Sequence, residues 1–195
     1  MIALLAGGIV GTAMVAVRPR STIGSSVPES AAVGPQRVLA IEALADLLSR
    51  SAGILAVHRR DGTPFTDIVV HAFDDHRRGV VEAPEVLVLT HSRTLRAVMA
   101  FAMDPAATTD EVRRETIDPE ALRQPGFARQ WRERLDVRRT VLAAGEGVVG
   151  LDLIPEESRG YRTSPVWTLR LTWEDRSADG TVTAELPVEP VNDGP

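Results

Sequence analysis

The residues best suited to chemistry lie in one short stretch, Asp74-Asp75-His76, with His91 further along the chain. Imidazole and carboxylate groups are common zinc ligands, and carboxylates also bind magnesium. These three residues do not complete a coordination sphere, so a metal site here would need His91 or another distant ligand. His71 and His76 are five positions apart, which does not match paired metal ligands on successive turns of a helix. The alternative interpretation of the stretch is a solvated turn.

A serine hydrolase would have to be built from Ser92, His91 and Asp74. Neighbouring loop residues seldom face one another, and the sequence has no G-x-S-x-G nucleophile elbow. Gly145-Glu146-Gly147 is not followed by the G-K-[ST] of a phosphate-binding loop. The chain has no cysteine, which excludes thiol nucleophiles and cysteine-ligated metals. We predict neither a cofactor nor catalysis, and keep an envelope hydrolase or metal-dependent enzyme around Asp74-His76 and His91 as the alternative.

The first glycines, in Ala6-Gly7-Gly8-Ile9-Val10-Gly11, nearly spell a dinucleotide-binding loop. That loop needs a strand before it, a helix of several turns after it, and a second strand that closes on an acidic residue. Here Ala6 takes the place of the first glycine, Pro19 ends any following helix, and residues 21–36 have no strand pattern. The glycines therefore do not predict a dinucleotide site.

Residues 2–17 contain no charged or strongly polar side chain and predict a transmembrane anchor. Their helix would be roughly 24 Å long, about one turn short of the roughly 30 Å hydrocarbon core, so the membrane would thin locally or the span would begin upstream. A cleaved export signal is the alternative, although no basic residue precedes the run. Gly7 and Gly11 have the small-xxx-small spacing of helix–helix contacts in membranes. They are the candidate residues for self-association.

The orientation of the anchor is open to two interpretations. Arg18 and Arg20 directly follow the span, and the positive-inside rule would then keep the C-terminal part in the cytoplasm. A long polar domain behind one N-terminal span favours export instead. Residues 18–36, rich in serine, proline and glycine, predict a flexible linker between the two. We expect a single-pass membrane protein with an extracytoplasmic C-terminal domain.

Beyond the linker the sequence predicts an α+β domain, with a mostly antiparallel sheet and a helical insertion. Apolar residues recur at helical spacing in residues 37–50. Asp61-Gly62 and Asp179-Gly180 mark tight turns. Apolar or alternating runs predict strands at 54–58, 65–73, 86–89, 94–103, 167–173 and 181–186. The run 94–103 fits both a helix and a strand, and its alternation favours a strand.

Residues 108–145 are predicted to be helical and form the insertion. Thr108 with Glu111 fits a capping box, and Asp118 followed by proline fits a capped helix start. Phe127, Trp131 and Leu135 lie on successive turns of one face, which we assign to the core.

Arginines surround that apolar face and offer a candidate contact surface for a protein partner or for anionic lipid headgroups. The alternative is a solvated face. The net charge of -5 argues against a nucleic-acid partner. The candidate contact residues are Arg129, Arg132, Arg138 and Arg139.

Four segments follow from these patterns: an anchor at 1–17, a flexible linker at 18–36, an α+β globular domain at 37–187 and a loose C-terminal tail at 188–195. The combination of anchor, linker and domain without a recognisable catalytic motif is typical of an assembly component. We therefore expect a non-catalytic binding or assembly component of a cell-envelope complex. Its contact surface would be a sheet edge or the arginine-rich segment, facing a protein partner or a second copy.

Overall fold

A computed structural model describes residues 35–59, 66–73, 80–107, 109–143, 147–156, 166–175 and 180–190. The predicted anchor, with Gly7 and Gly11, and nearly all of the predicted linker lie outside these residues. Within the described ranges, no helix has the length and apolar character needed to cross a membrane.

The described chain contains one long helix, α1 (Pro35–Ser49), and three short ones, α2 (Asp110–Arg113), α3 (Pro119–Arg123) and α4 (Phe127–Glu133). A 3-10 turn covers Ala83–Glu85. The strands are β1 (Gly53–Arg59), β2 (Thr66–His71), β3 (Val81–Glu82), β4 (Val86–Ser92), β5 (Ala97–Met103), β6 (Thr116–Ile117), β7 (Val137–Ala143), β8 (Val148–Pro155), β9 (Trp167–Asp175) and β10 (Gly180–Val188).

The strands form a five-stranded sheet in the order β1-β2-β4-β5-β7, a three-stranded sheet in the order β10-β9-β8, and the short pair β3-β6. Every pairing is antiparallel. The predicted α+β class with a mostly antiparallel sheet is therefore confirmed. So are the hairpins β1-β2 and β9-β10 and the strand within 94–103.

The central strands of the five-stranded sheet, β2, β4 and β5, are buried on both faces. On one face the sheet packs against α1 and the three-stranded sheet, because alternate residues such as Ile68 and Val70 share a core with Leu48 and Trp173. On the other face, Val69 and Val88 pack against the short helices α3 and α4. Strand β2 thus contains three consecutive buried apolar residues, Ile68 to Val70, as expected for a strand that is covered on both sides.

The predicted helical segment 108–145 is only partly helical. Helices α2 to α4 account for parts of it, but Val137–Ala143 is strand β7, which pairs with β5. This pairing joins residues far apart in sequence, so local helix propensity did not show it. The N-cap of α2 is Thr109, whose hydroxyl accepts from the Val112 N–H, whereas Thr108 lies outside the described residues. Asp118 caps α3 as predicted.

The predicted apolar face of Phe127, Trp131 and Leu135 is correct for two of its three members. Phe127 and Trp131 are buried and stack with ring centroids 5.7 Å apart. Helix α4 ends at Glu133, and Arg134 already has an extended backbone. Because the chain leaves the helix there, Leu135 is fully exposed instead of lying in the core.

Contacts of Arg96 with Gly147, Val148 and Glu174 join the five-stranded sheet to the three-stranded sheet. Gly147 has a φ of +74°, and a Cβ there would lie 2.6 Å from the Arg96 guanidinium. The positive φ favours glycine at this position, because residues with a Cβ are strained in this region of the backbone map. The Arg96 guanidinium donates to the carboxylate of Glu174, and the Val148 N–H donates to the Arg96 carbonyl at 3.1 Å. These bonds connect β5, β8 and β9 at one corner of the domain.

Candidate functional site

Strand β7 is a terminal strand of the five-stranded sheet, and within the described part of the chain it pairs only with β5. A strand at the edge of a sheet presents backbone N–H and C=O groups to which another strand can bond. Residues 138–141 are all exposed. We refer to these four residues as the β7 edge, and it is the candidate contact surface of this domain.

Two of the predicted contact residues, Arg138 and Arg139, lie on the β7 edge and point to opposite faces of the sheet, because side chains alternate along a strand. The residues of β5 that lie directly opposite them are Ala102 and Phe101, which carry no charge. Among the described contacts, neither arginine has an ion pair or a side-chain hydrogen bond. The β7 edge therefore carries uncompensated positive charge on both faces.

Arg132, a third predicted contact residue, points into the domain. Its Nη1 donates to Asp67 Oδ1 at 3.1 Å and to Thr90 Oγ1 at 3.0 Å. Asp67 is 6% exposed and Thr90 is 3% exposed, and the Thr90 hydroxyl also donates to the Asp67 carboxylate. Arg132 thus ties α4 to strands β2 and β4.

Arg129, the fourth, stays on the outer surface of α4. Its Nε donates to Glu133 Oε1 at 3.0 Å, one helical turn away. That hydrogen bond and the charge of Glu133 raise the pKa of Arg129. The four arginines therefore do not form one surface: one is paired on the helix, one is internal, and two are unpaired on the β7 edge.

Arg134 directly follows the last residue of α4 and is also paired with carboxylates. It donates to Glu115 through two nitrogens, at 2.9 and 2.7 Å, and to the Asp136 carboxylate. These bonds raise the pKa of Arg134. Its guanidinium also lies 5.0 Å from the ring centroid of Trp131, within cation–π distance.

Acid is expected to remove the contribution of Asp136 to stability. The hydrogen bond from Arg134 holds the pKa of Asp136 below its ordinary value, against the opposing effect of burial. A carboxylate with a lowered folded-state pKa stabilises the fold above the unfolded value of about 3.9, and this is lost as pH falls through the folded value. The Asp136→Asn variant should therefore be less stable than the wild type at pH 7. Urea unfolding at pH 7 and pH 2 measures this, and a difference that does not shrink at pH 2 would contradict it.

His71 and His91 lie far apart and do not share a site. His91 is 4% exposed, and its Nε2 donates to the Val148 carbonyl at 2.7 Å. His71 lies beside the Glu85 carboxylate, 3.3 Å away, and is opposite Val86 in the sheet register. From Val86 to His91 strand β4 advances about 17 Å, at about 3.4 Å per residue.

The predicted stretch Asp74-Asp75-His76 lies outside the described residues. Inside them, no group of three histidine, aspartate or glutamate side chains is placed to hold a metal ion. No observation on the described part of the chain adds support to the enzyme alternative around Asp74-His76 and His91.

Asp67 is a buried charge that the sequence patterns did not single out. A carboxylate that directly precedes the apolar run from Ile68 to Val70 in β2 indicates a paired charge, because ionised side chains are buried only with partners. The partner, Arg132, is 65 residues away, so the pair becomes visible only in the fold.

No protein-family model, curated protein or solved structure matches this chain. Its function must therefore be inferred from its own residues and their arrangement.

Proposed function

We propose that this protein is a membrane-anchored, non-catalytic binding or assembly component of a cell-envelope complex, and that the β7 edge is where its α+β domain engages a protein partner. Residues 2–17 hold the chain in the membrane. Residues 18–36 tether the domain, which faces the extracytoplasmic side.

The exposure of the β7 edge carries this proposal, and two of the other terminal strands, β1 and β10, differ from it because one contacts a helix and the other contains a proline. Helix α3 packs beside β1, where His58 Nε2 donates to the Leu122 carbonyl at 2.9 Å. Strand β10 contains Pro187, which has no N–H to donate. Strand β7 has no proline, and its register with β5 is regular from Val137 to Val141. An open, regular edge of this kind supports binding by strand addition.

Membrane fractionation tests the anchor and its topology. The full chain is expected to sediment with membranes and to resist carbonate extraction, whereas a variant that lacks residues 1–17 should be recovered in the soluble fraction. Protease added outside the cytoplasmic membrane should digest the domain. Recovery of the full chain as a soluble protein would contradict the anchor. Protection of the domain from this protease in sealed cells would mean that the domain faces the cytoplasm.

Photo-crosslinking tests the contact surface. A photoreactive amino acid in place of Thr140, on the β7 edge of the full chain, should give a discrete crosslinked product in living cells. Thr181 is the matched control, because it is also an exposed threonine on a terminal strand, β10. A yield from Thr140 no higher than that from Thr181 would contradict the proposal. A product of two copies of this chain would assign the edge to self-association.

A further inference from the structure

We infer that the β7 edge binds an extended acidic segment of a partner protein, which adds to the sheet as a further strand. This inference rests on the proposed function and narrows the partner to one chemistry. Two adjacent carboxylate side chains of the partner strand lie opposite Arg138 and Arg139, one on each face of the sheet.

The charge balance around the β7 edge points to an acidic partner. The neighbouring arginines each have a carboxylate: Arg129 pairs with Glu133, Arg132 with Asp67, and Arg134 with Glu115 and Asp136. The whole chain has an excess of acidic residues, with a net charge of -5. Arg138 and Arg139 differ from these neighbours, because they have no carboxylate partner among the described contacts and lie on a terminal strand of the sheet.

The residues that face Arg138 and Arg139 on β5 do not neutralise their charges. Ala102 and Phe101, opposite Arg138 and Arg139 on β5, are uncharged. Opposite charges on directly facing residues of neighbouring strands attract, and like charges repel. A strand added on the free side of β7 is thus the position from which carboxylates can face both guanidinium groups.

The same charges disfavour a second copy of this chain as the occupant. Pairing two β7 strands would bring four guanidinium groups into one short strand pair, and arginine or lysine on an edge opposes such self-pairing. An acidic strand removes this repulsion. Val141, 45% exposed and on the same face as Arg139, offers an apolar contact beside the charged pair.

A direct binding experiment uses the full chain in neutral detergent and the labelled, end-capped peptide TVTEEVT as the probe. Two peptides serve as controls: TVTKKVT, in which the charge is reversed, and TVPEEPT, which keeps the charge but contains proline. Fluorescence anisotropy gives the affinity. Hydrogen–deuterium exchange reports whether the amides of residues 137–143 become protected.

The acidic peptide is expected to bind and to protect β7, and the two controls to bind much more weakly. The double variant Arg138→Ala/Arg139→Ala should weaken binding by about 2- to 30-fold, from two cross-strand charge pairs. The matched control Arg114→Ala/Arg123→Ala removes the same charge from exposed arginines outside β7 and should leave the affinity unchanged.

Each remaining outcome overturns the inference in a distinguishable way. Equal binding of TVTEEVT and TVTKKVT removes the acidic preference but leaves strand addition at β7 in place. If TVPEEPT binds as tightly as TVTEEVT, or if amides other than those of residues 137–143 become protected, the peptide binds through surface charge and not by strand addition. Absence of binding by all peptides overturns the acidic strand, and crosslinking from Thr140 then decides separately whether the edge engages any partner.

Discussion

Replacing Asp67 with alanine is expected to destabilise the fold by about 2–4 kcal/mol, near the range for breaking a buried ion pair from one side. The change removes the acceptor for the guanidinium of Arg132 on α4 and for the hydroxyl of Thr90 on β4. The Arg132 side chain is 24% exposed and keeps some contact with water, which moderates the loss. Urea unfolding of the full chain, followed by circular dichroism, measures the change.

A matched control for this prediction lies on the same helix. Arg129 and Glu133 form an exposed ion pair, and such pairs contribute little, so Glu133→Ala should leave the unfolding midpoint almost unchanged. The double change Asp67→Leu/Arg132→Met removes both charges and should recover most of the lost stability. Equal losses from Asp67→Ala and Glu133→Ala would show that the buried pair has no special role.

These variants also separate two kinds of arginine that the sequence presents as one cluster. Loss of Arg132 should lower the stability of the domain, because its partners are internal. Loss of Arg138 and Arg139 should leave stability nearly unchanged and should act on binding. Stability and binding measurements on the same variants therefore distinguish an internal tie from a contact surface.

The elements that the sequence predicted well are those whose local pattern and final burial agree. The period-2 alternation of residues 167–173 marks β9, in which Leu169, Leu171 and Trp173 are buried. The stripe in residues 37–50 marks α1, in which Ile41 and Leu48 are buried as expected. In both cases one face meets the core and the other meets solvent, so periodicity is informative.

The elements that the sequence did not predict depend on contacts between distant residues. Strand β7 begins shortly after α4 and carries two adjacent arginines, so it shows no clear alternation. Its pairing with β5 decides its conformation. Strand β8 contains Gly150 and Asp152, which weaken its apolar pattern. Asp152 accepts a hydrogen bond from Thr66 at 2.8 Å, a contact that only the fold creates.

In the candidate site, too, one part could be predicted from the sequence and another part depends on contacts between distant residues. Composition identified the arginine-rich segment, but it could not separate Arg132 from Arg138, because the difference depends on Asp67 in one case and on an open sheet edge in the other. The structure therefore changes the candidate surface from an arginine-rich helical face to the edge of a strand.

Replacing Trp131 with alanine is expected to cost about 3–5 kcal/mol, the usual range for removing a large buried aromatic side chain. Trp131 is 2% exposed, stacks on Phe127, and donates from Nε1 to the Phe101 carbonyl at 3.2 Å. Its removal leaves a cavity between α4 and the sheet and also removes the ring beneath Arg134. Trp131→Phe should have a smaller effect, since it keeps an aromatic ring but loses the hydrogen bond.

Leu135 supplies the control for Trp131, because the helical spacing of the sequence places the two on one face whereas only Trp131 is buried. Leu135→Ala should change the free energy of unfolding by less than about 0.5 kcal/mol, as is usual for an exposed position. Comparable losses from Leu135→Ala and Trp131→Ala would mean that the helix continues beyond Glu133 and buries Leu135. A large loss from Trp131→Ala alone would agree with a helix that ends before Leu135, so that this side chain faces solvent where the chain leads from α4 into β7.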